Sequence, residues 1–323
     1  MIRLALIGPG RWGRILAEAV VGVSDIVTVT HAVARSPAKA AAWCARHGIA
    51  LSDDYAALLA DPAVHGVILA TPHSQHAEQI AAAAAARKPV FCEKPVTLTR
   101  VSAEAAMAAM RAAGLPFAAG HNRRFLPAIA QMKEMIERGD LGTILHVEGN
   151  MSGHVGARYT PDMWRVDPVE SPAGGLAGSG IHVIDAMIHL LGPITAVTAQ
   201  SDRLVHEIAL DDTTAMLLRF ASRATGYLTA MTATAGIFRL QVFGERGWLE
   251  LRGETELTLS PVVGVRTVWT FPAVATERLQ LEAFARSIQT GDPFPISLDD
   301  VINGVAVFEG VSASLAAGGW VQV

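Results

Sequence analysis

Over the first 120 residues, short apolar runs alternate with alanine-rich stretches. Leu4–Ile7, Val27–Ala34, Val67–Ala70, Val90–Cys92 and Phe117–Ala119 have the length and apolar character of strands and are bounded by breakers. Between them, Arg14–Val20, Pro37–His47, Ser74–Ala86 and Ser102–Ala113 have helical composition. The last three are nearly free of internal glycine and proline and rich in alanine, the strongest helix former. Gly48 and Gly114 fall where helix C-caps are expected. Strand–helix alternation of this kind predicts a parallel sheet covered by helices on both faces.

After Gly120 the pattern changes. Leu126–Glu137 reads as a helix and Thr143–Met151 as a strand, and residues 152–175 form a loop rich in glycine, proline and serine. Leu176–Leu191 returns to helical periodicity. From Ile194 to Phe271 most of the chain alternates with period two, as in Thr213–Phe220, Thr225–Thr232, Phe238–Phe243 and Trp248–Leu251, with a hairpin turn at Gly244-Glu245-Arg246-Gly247. Short turns between such strands predict a mostly antiparallel sheet. Two helices, Thr276–Thr290 and Leu298–Ala316, follow. The expected organisation is an α/β domain with a parallel sheet over residues 1–121 and an α+β domain with a large antiparallel sheet over residues 122–323.

Composition narrows the class. A chain of 323 residues exceeds the usual size of one core. Hydrophobic residues make up 51% and charged residues 17%, which argues for large buried cores and against disorder. A net charge of −4 offers no general attraction to nucleic acid or anionic lipid, so neither is an expected partner. No apolar run reads as a membrane span, and Met1–Ile7 is too quickly followed by glycine to read as a signal peptide. Two cysteines, Cys44 and Cys92, give no disulfide framework and no metal-binding pattern. A cytoplasmic location is the expectation.

Candidate chemistry clusters at strand ends. Gly8-Pro9-Gly10-Arg11-Trp12-Gly13 follows the first strand and opens the first helix, the context in which glycines admit a pyrophosphate to a helix N-terminus. Where an Asp or Glu would hold a ribose 2′-hydroxyl, the chain reads Ala34-Arg35-Ser36, with Lys39 nearby. Arg35 and Ser36 suit a 2′-phosphate, so NADP(H) is expected over NAD(H). The competing readings make Arg35 a solvated loop residue or a stacking partner for adenine. Thr71-Pro72-His73-Ser74-Gln75-His76 and Glu93-Lys94-Pro95 end two further strands at the carboxyl edge, where ligands of such sheets bind. His73 and His76 lack the thiolate or carboxylate company of a metal site, and no metal is expected.

Lys94 stands out by scarcity: only four of the 26 Lys and Arg residues are lysine. A lysine kept against that bias suggests chemistry needing an amine that releases its proton, which arginine does not. In the second half, Ala173-Gly174-Gly175 leads into a helix with His182, Asp185 and His189 near one face. His182, nearest the glycines, is the candidate acid/base, and His189 reads as a buried structural histidine.

Together these residues resemble the Gfo/Idh/MocA family of nicotinamide-dependent oxidoreductases over essentially the whole chain. The resemblance is carried by Gly8, Gly10 and Gly13, Ala70-Thr71-Pro72 with His76, Glu93-Lys94-Pro95, Arg123-Arg124-Phe125, Trp164-Arg165, and Gly174-Gly175 with His182-Val183-Ile184-Asp185. It implies a Rossmann domain and a second domain whose open sheet mediates dimer or tetramer formation. It implies hydride transfer between nicotinamide and a hydroxyl-bearing carbon of a sugar, polyol or inositol. Lys94 would then bond the reacting oxygen and relay its proton, with His182 as general acid or base. Trp164 and Arg165 would lie by the nicotinamide, and Lys94, Arg165, His182 and Asp185 would bind substrate. Arg165 with Arg158 also leaves room for an acidic substrate. One departure stands out: the position one turn before His182, usually aspartate, is Gly178, and Asp167, in the loop Trp164-Arg165-Val166-Asp167-Pro168, is the candidate carboxylate to reach in instead. That departure supports an alternative reading, a catalytically impaired cofactor sensor or regulatory protein of the same fold.

Overall fold

The computed structural model describes all 323 residues. The chain folds into two compact units, the first made of residues 1–97, 101–122 and 275–301 and the second of residues 98–100, 123–274 and 302–323. The division is therefore discontinuous. Residues 275–301, expected in the second domain, belong to the first unit.

The first unit alternates as the apolar pattern predicts: β1 (Ile2–Ile7), α1 (Arg11–Glu18), β2 (Val27–Val33), α2 (Ala41–Arg46), β3 (Ala50–Ser52), α3 (Tyr55–Ala60), β4 (Gly66–Leu69), α4 (His76–Ala85), β5 (Val90–Cys92), α5 (Arg100–Ala113) and β6 (Phe117–Ala119). The six strands are parallel, in the order β3-β2-β1-β4-β5-β6. This is the doubly wound order, which reverses between β1 and β4 and opens a crevice at the carboxyl ends of those strands. β1, β4 and β5 are apolar almost throughout because helices cover both faces. β3 and α3 were not evident in the apolar pattern, since β3 is three residues long. The Asp54 side chain caps α3 by accepting from Ala57 N–H at 2.9 Å.

The second unit opens with α6 (Pro127–Glu137) and β7 (Ile144–Ser152), then α7 (Ile181–Leu191) and β8 (Ile194–Asp202). Six strands follow, β9 (Thr213–Phe220), β10 (Thr225–Met231), β11 (Ile237–Gly244), β12 (Gly247–Arg252), β13 (Glu256–Pro261) and β14 (Thr267–Thr270), with β7 inserted between β10 and β11. α8 (Thr276–Thr290) belongs to the first unit, and most of α9 (Leu298–Ala317) and all of β15 (Val321–Gln322) belong to the second. The nine-stranded sheet runs β14-β13-β12-β11-β7-β10-β9-β8-β15 and is antiparallel except where β10 pairs with β7. Its inner face, with Val147, Leu218, Leu228, Val242 and Leu251, forms one core with α6 and α7. Gly149 on β7 lets α7 approach, because a Cβ there would collide with Val183 and meet Met187 Cε at 2.7 Å.

α9 corrects one sequence expectation. By length and composition alone it is long and apolar enough to cross a membrane. Half of its apolar window is buried in the protein. Ser314 Oγ on α9 accepts from Ala199 N–H at 3.0 Å, and a Cβ at Gly310 would meet Val197 at 3.1 Å, so α9 packs on β8.

Candidate active site

The residues singled out in the sequence fall into two groups, one in each unit. In the first unit, the turn after β1 is shaped by its glycines. Gly8 has φ +89°, and a Cβ there would lie 2.8 Å from the Ala70 carbonyl oxygen. Gly8 N–H donates to Val33 O, and Gly10 N–H to Gly8 O at 2.8 Å. A side chain on Gly13 would strike the Gly8 carbonyl. At Gly10, the N-cap of α1, a Cβ would meet nothing within 4 Å. The turn is thus packed tightly from behind and open at the helix start, the shape that admits a phosphate. Arg11 is exposed and Trp12 is partly buried beside it.

Arg14, which the sequence reading did not single out, ties this turn to the loop after β2. Its Nε donates to Pro9 O and its Nη2 to Lys39 O, both at 3.0 Å, and its guanidinium lies 5.4 Å from the Trp43 ring. The only local signal was its place one turn into α1. The loop it secures leaves Arg35, Ser36 and Lys39 exposed and holds no carboxylate at the end of β2.

Two more edge loops are joined by His76. Its buried ring places Nδ1 3.0 Å from Pro95 O and Nε2 3.1 Å from Thr71 O. Thr71 Oγ1 donates to Gln79 Oε1 at 2.7 Å, so Thr71-Pro72 is fixed to α4. Lys94 follows β5, half-buried, with a cis peptide to Pro95. Its N–H donates to Glu93 Oε2 at 3.3 Å. Glu93 is buried with its carboxylate against Gly120, where a Cβ would sit 2.7 Å from Oε1.

In the second unit, the helix expected over 176–191 begins as a π-helical turn, Leu176–Gly180, before α7. Such wide turns are frequent at functional sites. Ala173 and Gly174 both have φ +52°, and a Cβ at Gly174 would strike the Asp211 carbonyl. His182 and Asp185 are buried on α7, and His189 is partly buried. Both Asp185 oxygens accept from Arg124, Oδ2 from Nε at 2.8 Å and Oδ1 from Nη2 at 2.9 Å, with each side chain 4% exposed. Asp185, expected to bind substrate, therefore spends its charge inside the protein. Arg165 stacks over Trp164 at 4.1 Å in a short 3-10 turn. Asp167 Oδ1 accepts from Val169 N–H at 2.9 Å and so caps its own loop. Gly178 is exposed, and a Cβ there would meet nothing within 4 Å. No group of three His, Cys, Asp or Glu side chains is arranged to hold a metal ion.

A glycine cradle at the head of a doubly wound sheet, an amine at the end of β5 and a histidine behind a glycine-rich turn form a specific combination. Two family matches account for it. The family described as "Oxidoreductase family, NAD-binding Rossmann fold" matches residues 2–121, and the GFO/IDH/MocA C-terminal domain matches residues 129–250. The chain belongs to the Gfo/Idh/MocA family. It is an oxidoreductase with a nicotinamide-binding Rossmann domain.

Similar proteins in this family include levoglucosan dehydrogenase of Pseudarthrobacter phenanthrenivorans, 28% identical and covering 88% of this chain and 82% of the relative. Inositol 2-dehydrogenase of Rhizobium meliloti is 27% identical over 98% of this chain and 97% of its own. Among solved structures, an oxidoreductase from Desulfitobacterium hafniense described as NADPH-dependent superposes with a TM-score of 0.91. It is 26% identical and covers 99% of this chain and 97% of its own.

Proposed function

We propose that this Gfo/Idh/MocA protein uses NADP(H) to interconvert a secondary alcohol and a carbonyl on a small polyhydroxylated molecule of the sugar, polyol or inositol kind. The observation that carries the reading is the amine of Lys94 at the carboxyl edge of β5, on the same sheet edge as the glycine cradle. The similar levoglucosan dehydrogenase and inositol 2-dehydrogenase support the substrate class. Exposed Arg35, Ser36 and Lys39, with no carboxylate at the end of β2, support the 2′-phosphate.

The nicotinamide, when bound, supplies or accepts the hydride. The open N-terminus of α1 would take its pyrophosphate, aided by Arg11 and Trp12, while Thr71-Pro72 and His76 hold the loops beside it. Glu93, Trp164 and Arg165 are the further proposed cofactor contacts. Lys94 Nζ would hold the reacting oxygen and move its proton, because a lysine exchanges a proton where an arginine does not. His182 would serve as the second acid/base, worth roughly 10²–10⁴-fold in rate for such a group. Lys94, His182 and Arg165 are the proposed substrate contacts.

The test is turnover. NADPH and NADP⁺ are offered with a panel of sugars, polyols, inositols and their keto forms, and Lys94→Met is run beside the native protein. We expect turnover on at least one polyhydroxylated compound and its loss in Lys94→Met with cofactor binding retained. A Lys94→Met variant of unchanged activity would sink the mechanism. Gly178 favours a second reading, a cofactor sensor, and tight NADPH binding with no turnover across the panel would support that one.

A further inference from the structure

Three contacts fix how α8 lies on the parallel sheet of the first unit. Ile288 Cδ1 reaches Gly66 at the start of β4, where a Cβ would meet it at 3.3 Å. One turn earlier, Phe284 packs on Phe91 of β5 with ring centroids 6.1 Å apart. Two turns earlier still, Thr276 Oγ1 accepts from Asn122 Nδ2 at 3.1 Å, three residues past the end of β6. The helix thus runs opposite to the strands. Thr276, Gln280 and Phe284 recur every four residues and so share the face turned to the sheet.

Interpolation places Gln280. It stands one turn, about 6 Å, from Phe284. Two residues along an extended strand also span about 6.6 Å, and residues two apart point to the same face. Phe91 and Glu93 are such a pair, and the extended pairing continues past β5, with Glu93 N–H donating to Leu69 O at 2.9 Å and Gly120 N–H to Cys92 O at 2.8 Å. Gln280 therefore stands level with Glu93 and Gly120. Gln280 is fully buried, yet neither its Oε1 nor its Nε2 has a hydrogen-bond partner within the protein. Asn122, also buried, donates to Thr276 and to Glu277 Oε1, but its own Oδ1 is without a partner.

Three buried amide atoms left without protein partners would cost about 1–3 kcal/mol each if dry. Buried polar groups in this state ordinarily bind ordered water. We infer that Gln280 and Asn122 hold a buried water site behind Glu93, and that through it they position the Glu93 carboxylate at the root of Lys94. The functional part rests on the proposed role of Lys94. Gln280 is a positioning residue: its amide bonds water, the water bonds the Glu93 carboxylate, and Glu93 holds the Lys94 backbone N–H. Other titratable groups on elements around Glu93 include Glu277, Arg278, Glu282 and Arg286 on α8, His121 after β6, Cys92 in β5, His76 and Glu78 on α4, and Tyr55 on α3 near Cys92. Burial pushes the Cys92 thiol well up, and the nearby Glu93 adds to it, so Cys92 stays neutral near pH 7.

The test has two arms, neither of which needs a substrate. A crystal structure of the native protein with NADPH is expected to show ordered water within hydrogen-bond reach of the Gln280 amide and Asn122 Oδ1. A dry site, with Gln280 turned to bond Glu93 directly, overturns the proposal. In the second arm, the pH dependence of Lys94 labelling by an amine reagent is mapped by mass spectrometry in native protein, Gln280→Leu and Gln280→Asn. Without its water, the Glu93 carboxylate is no longer held at the root of Lys94, and its negative charge moves away from the amine. The labelling midpoint of Gln280→Leu is expected about half to one pH unit lower, the size of shift a neighbouring charge produces. Gln280→Asn, one methylene shorter, keeps the amide and room for water and should restore the native midpoint. Folded Gln280→Leu with an unchanged midpoint overturns the positioning role. If Gln280→Leu does not fold, the crystal water and the Gln280→Asn midpoint decide. Failure of the proposed function appears separately, as unchanged turnover in Lys94→Met.

Discussion

On the proposed NADP(H) reading, Arg35 decides between the two nicotinamide cofactors, and its setting makes that reading testable. It is exposed after β2, with Ser36 and Lys39 beside it and Arg14 securing the same loop. A charge-assisted hydrogen bond is worth about 1.5–3 kcal/mol, so Arg35→Ala should weaken NADPH binding by about 10- to 100-fold and leave NADH binding nearly unchanged. Equal loss for both cofactors, read by fluorescence titration, would mean that Arg35 stacks on adenine. No loss would make it a solvated residue. Gly178 gives the second test at this scale. A Cβ there meets nothing within 4 Å and the position is exposed, so Gly178→Asp should fold with stability within about 0.5 kcal/mol of native. If the open position merely lacks an orienting carboxylate for His182, the variant should raise kcat on neutral polyols by about 10-fold or more. A fall in kcat would show that substrate uses the opening. The glycines and Lys94 could be placed from the sequence because each sits in a short motif at a predictable strand end, and His182 because a glycine-rich lead-in precedes its helix. Arg124 was not given a role, because its partner Asp185 lies 61 residues away and only folding pairs them.

At the scale of elements, the strand–helix alternation of the first unit was readable because each strand is buried on both faces and appears as an apolar run. β3 and α3 escaped for lack of length. The π-helical turn before α7 was also hidden, since the spacing of Leu176–Leu191 suits a continuous helix and the widened turn follows from its surroundings. One such constraint is the loop between β8 and β9. Buried Asp212 there accepts three successive backbone N–H groups through Oδ2, from Leu204 at 3.0 Å, Val205 at 2.6 Å and His206 at 2.9 Å. His206 in turn lies 2.9 Å from Thr232 Oγ1, and the neighbouring Asp211 packs on Gly174 at the lead-in to the π turn. Burial pushes the Asp212 carboxyl up, but the N–H groups of His206, Val205 and Leu204 with the Thr213 hydroxyl outweigh it and hold the pKa below the ordinary value. A depressed carboxyl contributes stability above its unfolded pKa, near 3.9, and loses it as pH falls through the lower folded value. Asp212→Asn should therefore lower stability by about 1.5–3 kcal/mol at pH 7, with no change in that deficit down to about pH 5. Below about pH 4 the deficit should shrink as the native carboxylate is protonated. A deficit constant to pH 2 in thermal melts would refute the clamp.

For the whole molecule, sequence order and spatial order part company at residues 275–301, which return to the first unit because Phe284 and Gln280 on α8 face the parallel sheet. Helical periodicity marks α8 as amphipathic but cannot say which sheet it covers. The sheet of the second unit poses the opposite question, since α6, α7 and α9 all contribute to the core on one face. The register across eight strands aligns Thr198, Leu217, Tyr227, Glu148, Gln241, Glu250, Thr258 and Val268 in one row. Their strand neighbours Leu218, Leu228, Val147, Leu240, Val242 and Leu251 fill the inner core, so this row lies on the other face. Leu217, Tyr227 and Val268 are exposed there, while Arg239 links Glu148 at 2.8 Å and approaches Glu250 at 4.0 Å. Apolar side chains among satisfied ion pairs make a surface fit to meet a second copy across a two-fold axis, where like patches oppose. A stable interface needs about 800 Å² from each partner, an area that a face of this many strands supplies. We propose a dimer or tetramer built on this face. Light scattering on the eluting protein should give a multiple of 34.1 kDa. Leu217→Arg puts an extra cation on this exposed apolar position and should shift the mass toward the monomer, with NADPH binding preserved. A native protein that elutes as a monomer at micromolar concentration would leave the exposed row without this role.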